Sequence, residues 1–493
     1  METFKIILPA TDYVAVLPQM VLVATALIVL IMGVFKKFVN TSGVGLTALA
    51  GSVLALACAL FVGHHGGPSS SFAGMVLDDG FSYFLTLVIC IIIVLTILVS
   101  LNYGVFFENV KSGEYYSLVL FAGVGMVFMA TAGNLILLFV ALETMSISIY
   151  ALTGFHKDQL KSGEAALKYF LMGAFGSAFL LYGFAYIYGA TGSLDIIKIS
   201  NFIKTHPQIL HLKFMVAGFV LMLAGLGFKI SMVPFHMWTP DTYEGAPTSI
   251  TGFMATGVKA AAFAALIRVI LVPLAPMQHS WVSLMWVAIF LTMTVGNLIA
   301  LAQENIKRML AYSSIAHAGY ILLGFLSGTG LAQAGMLYYL MVYAFMNIGA
   351  FAVVALLCKK GEEFNNISDF AGLGFKYPLL GLVMTVFLFS LAGLPPTGGF
   401  MGKFYLFTEA LRSGYVWLVV AAGVNSVVSI YYYLRVVVIM YFKPEVTENA
   451  VVLTAVSPGI IIALAVATTA VLIMGVLPSY FFSFAGNSIF SLM

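Results

Sequence analysis

Fourteen apolar runs, each long enough to cross a lipid bilayer, follow one another from one end of the chain to the other. They lie near residues 13–34, 44–62, 81–100, 116–132, 135–154, 165–189, 213–238, 248–274, 281–302, 309–327, 333–358, 378–409, 415–441 and 455–482. Lipid offers no water to backbone N–H and C=O groups, so runs of this length are expected as helices. Hydrophobic residues make up 62% of the 493 and charged residues 8%, a balance that excludes a soluble globular chain. The expectation is an all-α polytopic membrane protein of about fourteen transmembrane helices. The first run has no basic segment before it and no small-residue cleavage site after it, so it is read as a retained span and not as a signal or transit peptide. The formal charge of +3 is spread thinly without a basic block, which argues against nucleic acid as a partner. Cys58, Cys90 and Cys358 are far apart in or beside apolar runs and read as small packing residues.

Lysine and arginine fall unevenly between alternate connections. Eleven (Lys36, Lys37, Lys111, Lys157, Lys161, Lys307, Arg308, Lys359, Lys360, Lys376, Lys443) lie on one side, against five (Lys5, Lys198, Lys204, Lys213, Arg412) on the other. The richer side is assigned to the cytoplasm, with both termini outside. Polar marks also repeat at intervals of five spans. The run at 214–238 is broken by Pro234, and the run at 378–407 is broken by Pro395 and Pro396. Each is the fourth of five spans, which pairs Pro234 with Pro395. The second of five carries Glu143 in one set and His317 in the other, and the fifth carries Lys259 and Arg435. Five is odd, so the second set enters from the opposite side and the two are inverted. The division expected is three N-terminal helices over 1–112, inverted five-helix repeats over 113–276 and 277–443, and a last helix within 444–493. Inverted repeats with paired broken helices are a transporter pattern.

Six cations (Lys168, Lys229, Lys259, Arg268, Lys403, Arg435) and one acid (Glu143) lie within the runs. Each costs roughly 2.5–3.5 kcal/mol to insert, so their retention calls for function or for partners. Lys168, Arg268 and Arg435 are near enough to an end, or long enough, to snorkel, and both readings stay open for them. Glu143 lies nine residues into its helix, about 13 Å deep. Burial favours the neutral form of a lysine and a nearby carboxylate favours the charged form. A change in the Glu143–Lys229 separation therefore loads or unloads a proton. Prolines at 234, 395 and 396 free the carbonyls of Ile230, Leu391 and Ala392, which then need water or protein partners beside Lys229 and Lys403. His236 and His317 are candidate relays, since imidazole carries a proton near neutral pH. There is no P-loop, dinucleotide fingerprint, haem or iron–sulfur cysteine pattern, or potassium filter, so no redox chemistry by this chain alone is expected.

Four strings then carry a resemblance: PFHMWTPDTYEGAPT (234–248), ALKYFLMGAFGSAFLLYG (166–183), NIKRMLAYSSIAHAGY (305–320) and LAGLPPTGGFMGKF (391–404). They resemble the antiporter-like membrane subunits of respiratory complex I, the proton-pumping NADH:quinone oxidoreductase, and the likeness covers essentially the whole chain. WTPDTYEGAP points to the N type. So does lysine at 403, where the M type usually has glutamate, and so does the lack of the L type's long lateral helix. The resemblance implies proton transfer from cytoplasm to outside in a bacterial inner membrane. It makes Glu143 and Lys229 the coupling pair, Lys259 and His317 part of a central polar axis, and Lys403 the exit side, and it adds Lys168. It places flavin, iron–sulfur clusters and quinone in partner subunits and none in this chain. Its implied partners are the other antiporter-like and small membrane subunits, with the redox arm reached through them. A subunit of a stand-alone multisubunit cation/proton antiporter is the alternative.

Overall fold

The computed structural model describes residues 11–35, 42–65, 69–359, 362–444 and 456–490. Lys5, Lys36, Lys37 and Lys360 of the orientation tally lie outside them. Among the described residues twelve helices are long and apolar enough to cross a membrane, and the shorter Leu17–Gly33 and Pro378–Ala392 bring the spans to the number expected.

The helices are α1 (Leu17–Gly33), α2 (Gly43–His65), α3 (Gly80–Phe106), α4 (Gly113–Thr131), α5 (Leu135–Thr153) and α6 (Leu160–Thr191). Then come α7 (Ile196–Thr205), α8 (Lys213–Ile230), α9 (Trp238–Gly245) and the long α10 (Thr248–Leu271). The second half has α11 (Gln278–Leu301), α12 (Ile306–Ser327), α13 (Gly330–Leu356), α14 (Pro378–Ala392), α15 (Gly398–Arg412), α16 (Val416–Phe442), α17 (Pro458–Val476) and α18 (Pro478–Phe490). Two short hairpins, Ser69–Ser71 with Val76–Asp78 and Cys358–Lys359 with Glu362–Glu363, complete the described fold. The last apolar run is two elements, because α17 stops at Val476 and α18 restarts after Leu477.

Caps mark the ends where the sequence supplies short polar side chains. Asp79, Asn134, Asp195 and Asn305 each accept backbone N–H bonds at the first turn of α3, α5, α7 and α12. The close pairing of α6 with α8 depends on glycine: a Cβ on Gly225 would sit 2.7 Å from the Gly176 carbonyl oxygen. Small residues let helix backbones approach in this way. α10, α12 and α13 are enclosed almost throughout, whereas α2, α16 and α17 leave most of their surface toward lipid or neighbours.

The repeat is visible in hydrogen bonds. Around Asn134, the Leu135 N–H bonds the Leu194 carbonyl and the Ile196 N–H bonds the Gly133 carbonyl. Around Asn305, the Ile306 N–H bonds the Asn365 carbonyl and the Ile367 N–H bonds the Glu304 carbonyl. The two bridges join the start of the second span of each set to the loop before its broken helix. Five crossings separate them, so they sit at opposite ends of the bundle. Each broken helix also ends on a left-handed residue, Ser231 (φ 64°) or Gly393 (φ 83°), three residues before a cis X–Pro bond. Counted from these left-handed residues, Pro234 stands level with Pro396, one residue on from the Pro395 expected.

Candidate functional site

Both broken helices bring a lysine into the interior, by different routes. In the first, α8 ends one residue past Lys229, and the Trp238 Nε1 of α9 crosses the break to donate to the Phe228 carbonyl at 2.9 Å. Lys229 is 1% exposed and donates to Ser146 Oγ at 2.7 Å and Tyr150 OH at 3.2 Å. Glu143, Ser146 and Tyr150 share one face of α5 at helical spacing. No ion pair joins Lys229 to Glu143 among the described residues, so the expected pair is separated by hydroxyls from the same helix face. Glu143 keeps one buried carboxylate oxygen with no hydrogen-bond partner.

In the second, Lys403 reaches back from α15 to the end of α14. Its Nζ donates to the carbonyls of Leu391 (3.2 Å) and Ala392 (2.9 Å) and to Ser426 Oγ (3.0 Å). These are the carbonyls expected to be freed by Pro395 and Pro396, and the lysine is their partner. Gly399 makes the tight return possible, since a Cβ there would lie 1.9 Å from the Ser390 carbonyl oxygen.

Between the two breaks stand Lys259 on α10 and His317 on α12, each 1% exposed. Lys259 Nζ donates to the Ser314 carbonyl at 2.5 Å. His317 Nδ1 is 2.6 Å from Tyr339 OH and Nε2 is 3.1 Å from Tyr433 OH, and Tyr433 also bonds Ser313. Tyr320, one turn along α12, packs its ring against His317 and lies 4.8 Å below Lys403 Nζ. On the other side, Tyr169 contacts both Lys229 and Trp238, and Trp238 meets Tyr243. The result is a file of lysine, tyrosine, serine and histidine groups from Glu143 to Lys403. Among the described residues the buried Tyr169 hydroxyl has no hydrogen-bond partner, while the Tyr243 and Tyr343 hydroxyls both face Ser314.

A family model described as NADH:quinone oxidoreductase/Mrp antiporter, TM, matches residues 132–429. The chain belongs to this family. A relative, NADH-quinone oxidoreductase subunit N of Trichlorobacter lovleyi, is 47% identical over 474 residues, covering 96% of each chain. A chain of respiratory complex I from Thermus thermophilus with bound aureothin superposes with a TM-score of 0.79 at 36% identity, over 94% of this chain and 98% of that one. A chain of the Mrp complex from a Dietzia species shares the fold, with a TM-score of 0.82 at 19% identity over 98% of each chain.

Within this antiporter fold Arg268 and Lys168 differ from the three interior lysines in facing carboxylates, whereas Arg435 faces backbone carbonyls. Arg268 makes two 2.9 Å bonds to the Asp79 carboxylate, with Ser82 and the Ala130 carbonyl beside them. Burial pushes the Asp79 carboxyl up, but the guanidinium and its hydrogen bonds prevail and hold it below the usual range. Arg435 donates to the carbonyls of Leu301 and Gln303 and so closes the end of α11. Lys168 is 43% exposed and pairs with Glu164 at 2.6 Å and Asp241 at 2.8 Å, apart from the file. His236 lies buried in the first break. Cys90 and Cys358 are buried and Cys58 half-buried, all as free thiols.

Sequence reasoning missed one cluster. Lys307 was counted as a loop cation, yet its side chain is 0% exposed and bonds Glu363 at 2.9 Å and the Ala246 carbonyl at 2.6 Å. Glu363 also accepts from Tyr103 OH, Thr248 N–H (3.1 Å), Thr248 Oγ1 (2.7 Å) and Asn365 Nδ2 (3.1 Å). Nothing local to a short Lys-Lys-Gly-Glu-Glu turn indicates that one of its acids folds inward.

Proposed function

We propose that the chain is the N-type membrane subunit of a proton-translocating NADH:quinone oxidoreductase. Protons move along Lys229, Lys259, His317 and Lys403, with Glu143 setting the charge state at the first lysine. NADH oxidation, flavin, iron–sulfur clusters and quinone belong to partner subunits, and this chain does no redox chemistry itself.

One observation carries the reading. Among the described residues the three interior lysines have only neutral hydrogen-bond partners, hydroxyls and carbonyl oxygens, whereas Arg268, Lys307 and Lys168 all face carboxylates. Holding a buried cation without a carboxylate is costly, and Arg435, which shares that arrangement, is a helix-end cap that is only partly buried. A lysine facing only neutral groups can lose its proton without abandoning an ion pair, and regain it when a charge nearby changes. The hydroxyls beside Lys229 and Lys403 accept from the charged form and donate to the neutral one, and Lys259 keeps its N–H bond to the Ser314 carbonyl in either form, so both states stay bonded. His317, between two phenols, links Lys259 to the Lys403 side through either ring nitrogen.

Lys229→Ala in assembled complex tests this, with proton uptake and NADH oxidation measured together in membrane vesicles. The expected result is retained assembly with most of the pumping lost. Pumping at the unmodified ratio would overturn the assignment.

A further inference from the structure

Glu363 belongs to the loop between α13 and α14, yet its carboxylate bonds three other parts of the bundle: Tyr103 near the end of α3, Thr248 at the start of α10 and Lys307 in the first turn of α12. Burial would push its carboxyl up, but the Lys307 ammonium and the hydroxyl and amide donors hold it down at about 2. It is a fixed anion and therefore a poor proton carrier. Its position has a consequence for the file of lysines. α10 and α12 are two crossings apart and run in the same direction, and Glu363 holds the first turn of both.

Lys259 is eleven residues beyond Thr248, and Ser314 is seven beyond Lys307. At 1.5 Å per residue these are depths of about 16 and 10 Å from the shared carboxylate. The difference of about 6 Å is close to the reach of a lysine, and side chains on a helix lean back toward its N-terminus. The Lys259–Ser314 bond thus follows from where the two helices are pinned. A π-helical turn, Met254–Val258, lies between the pin and Lys259. Such a turn is a one-residue irregularity that leaves the facing of the next residues sensitive to how the helix is held. At its far end α10 is held by Arg268 on Asp79.

We propose that Glu363 is a positioning residue that sets the register of α10 against α12 and so aims Lys259 at Ser314. A loop of the second repeat thereby fixes the central lysine contributed by the first. The proposal rests on the proton-transfer reading above.

The test uses the whole complex in membrane vesicles, with Glu363→Gln, Glu363→Asp, Thr248→Val and, as control, Lys229→Ala. Proton uptake per NADH oxidised, its pH profile, and amide exchange over residues 248–259 are measured at matched assembly. Glu363→Gln is expected to lower the proton-to-NADH ratio at least threefold, displace the pH profile and speed exchange at 248–259 while leaving α6 unchanged. Glu363→Asp keeps the charge and should recover part of the ratio. Thr248→Val removes one bond only and should give a smaller loss, which keeps the test open if Glu363→Gln fails to assemble. An unmodified ratio and pH profile in Glu363→Gln, or in Thr248→Val where Glu363→Gln does not assemble, overturns the inference. If Lys229→Ala also pumps normally, the proton-transfer reading fails first. If only Lys229→Ala loses pumping, that reading stands and Glu363 is a helix cap alone.

Discussion

Lys403 Nζ lies 2.9 Å from the Ala392 carbonyl oxygen, the acceptor that Pro396 leaves without its helical amide. The lysine replaces the missing donor at the C-terminal end of a half-helix, where the dipole favours a cation. Its charge and the shape of the break are therefore linked: losing the proton weakens the bonds that hold the two half-helices together. Arginine at this position stays charged. Lys403→Arg is thus expected to assemble while pumping at less than a third of the normal proton-to-NADH ratio. Full coupling in that variant would leave Lys403 as a fixed cap.

On the proposed path Glu143 acts on Lys229 through space and not by contact, with Ser146 and Tyr150 taking the direct bonds. An amide at 143 preserves volume and hydrogen bonding but removes the field. Glu143→Gln should consequently match Glu143→Ala, both several-fold down in pumping with normal assembly. If the glutamine variant pumps like the parent, the acid serves packing alone.

The spans were legible because lipid demands runs of a fixed length and closed backbone bonding, and neither depends on tertiary detail. The two breaks were legible because proline removes a donor wherever it sits, and the carbonyls named from sequence, Leu391 and Ala392, are the ones Lys403 binds. The partners of each charge were not. Arg268 and Asp79 are 189 positions apart, and Lys307 and Glu363 are 56 apart on a loop that folds inward. Long-range pairing of this kind leaves no local periodicity. The amphipathic α7 leaves no span-length signal either, since ten residues are too few to cross the bilayer.

His156 follows α5 in the loop before α6, with Nε2 at 3.0 Å from Tyr103 OH. Burial, with Lys307 nearby, pulls its imidazole down to about 4, against smaller opposing effects of Glu363 and Asp158. The unfolded chain binds a proton at this group below about 6.5 and the folded chain only below about 4, so stability falls as pH drops through that window. Glu363 has the depressed carboxylate pattern, and its contribution is lost only below its ordinary value of 4.5. Thermal inactivation of the detergent-solubilised complex is expected to quicken between pH 6.5 and 4. His156→Gln should flatten that part of the profile and leave the fall below 4.5 in place. An unchanged slope in His156→Gln would remove this histidine as its source.

Arg268 supplies the opposite case to the interior lysines, and the contrast makes a prediction that separates structure from transfer. It is 3% exposed and bonded at both amino groups to one carboxylate. Removing one partner of such a pair leaves an uncompensated buried charge, which costs about 3–5 kcal/mol. Asp79→Asn should therefore lower the amount of assembled complex and its melting temperature. The complexes that do assemble should pump at the unmodified ratio, because neither residue touches the file from Glu143 to Lys403. Pairing Asp79→Asn with Arg268→Gln removes both charges and should recover assembly in part, as expected where the penalty comes from a lone ion. Assembly yield on native gels, read beside the proton-to-NADH ratio, distinguishes the two roles. A lowered ratio in fully assembled Asp79→Asn would make the C-terminal end of α10 part of the transfer path.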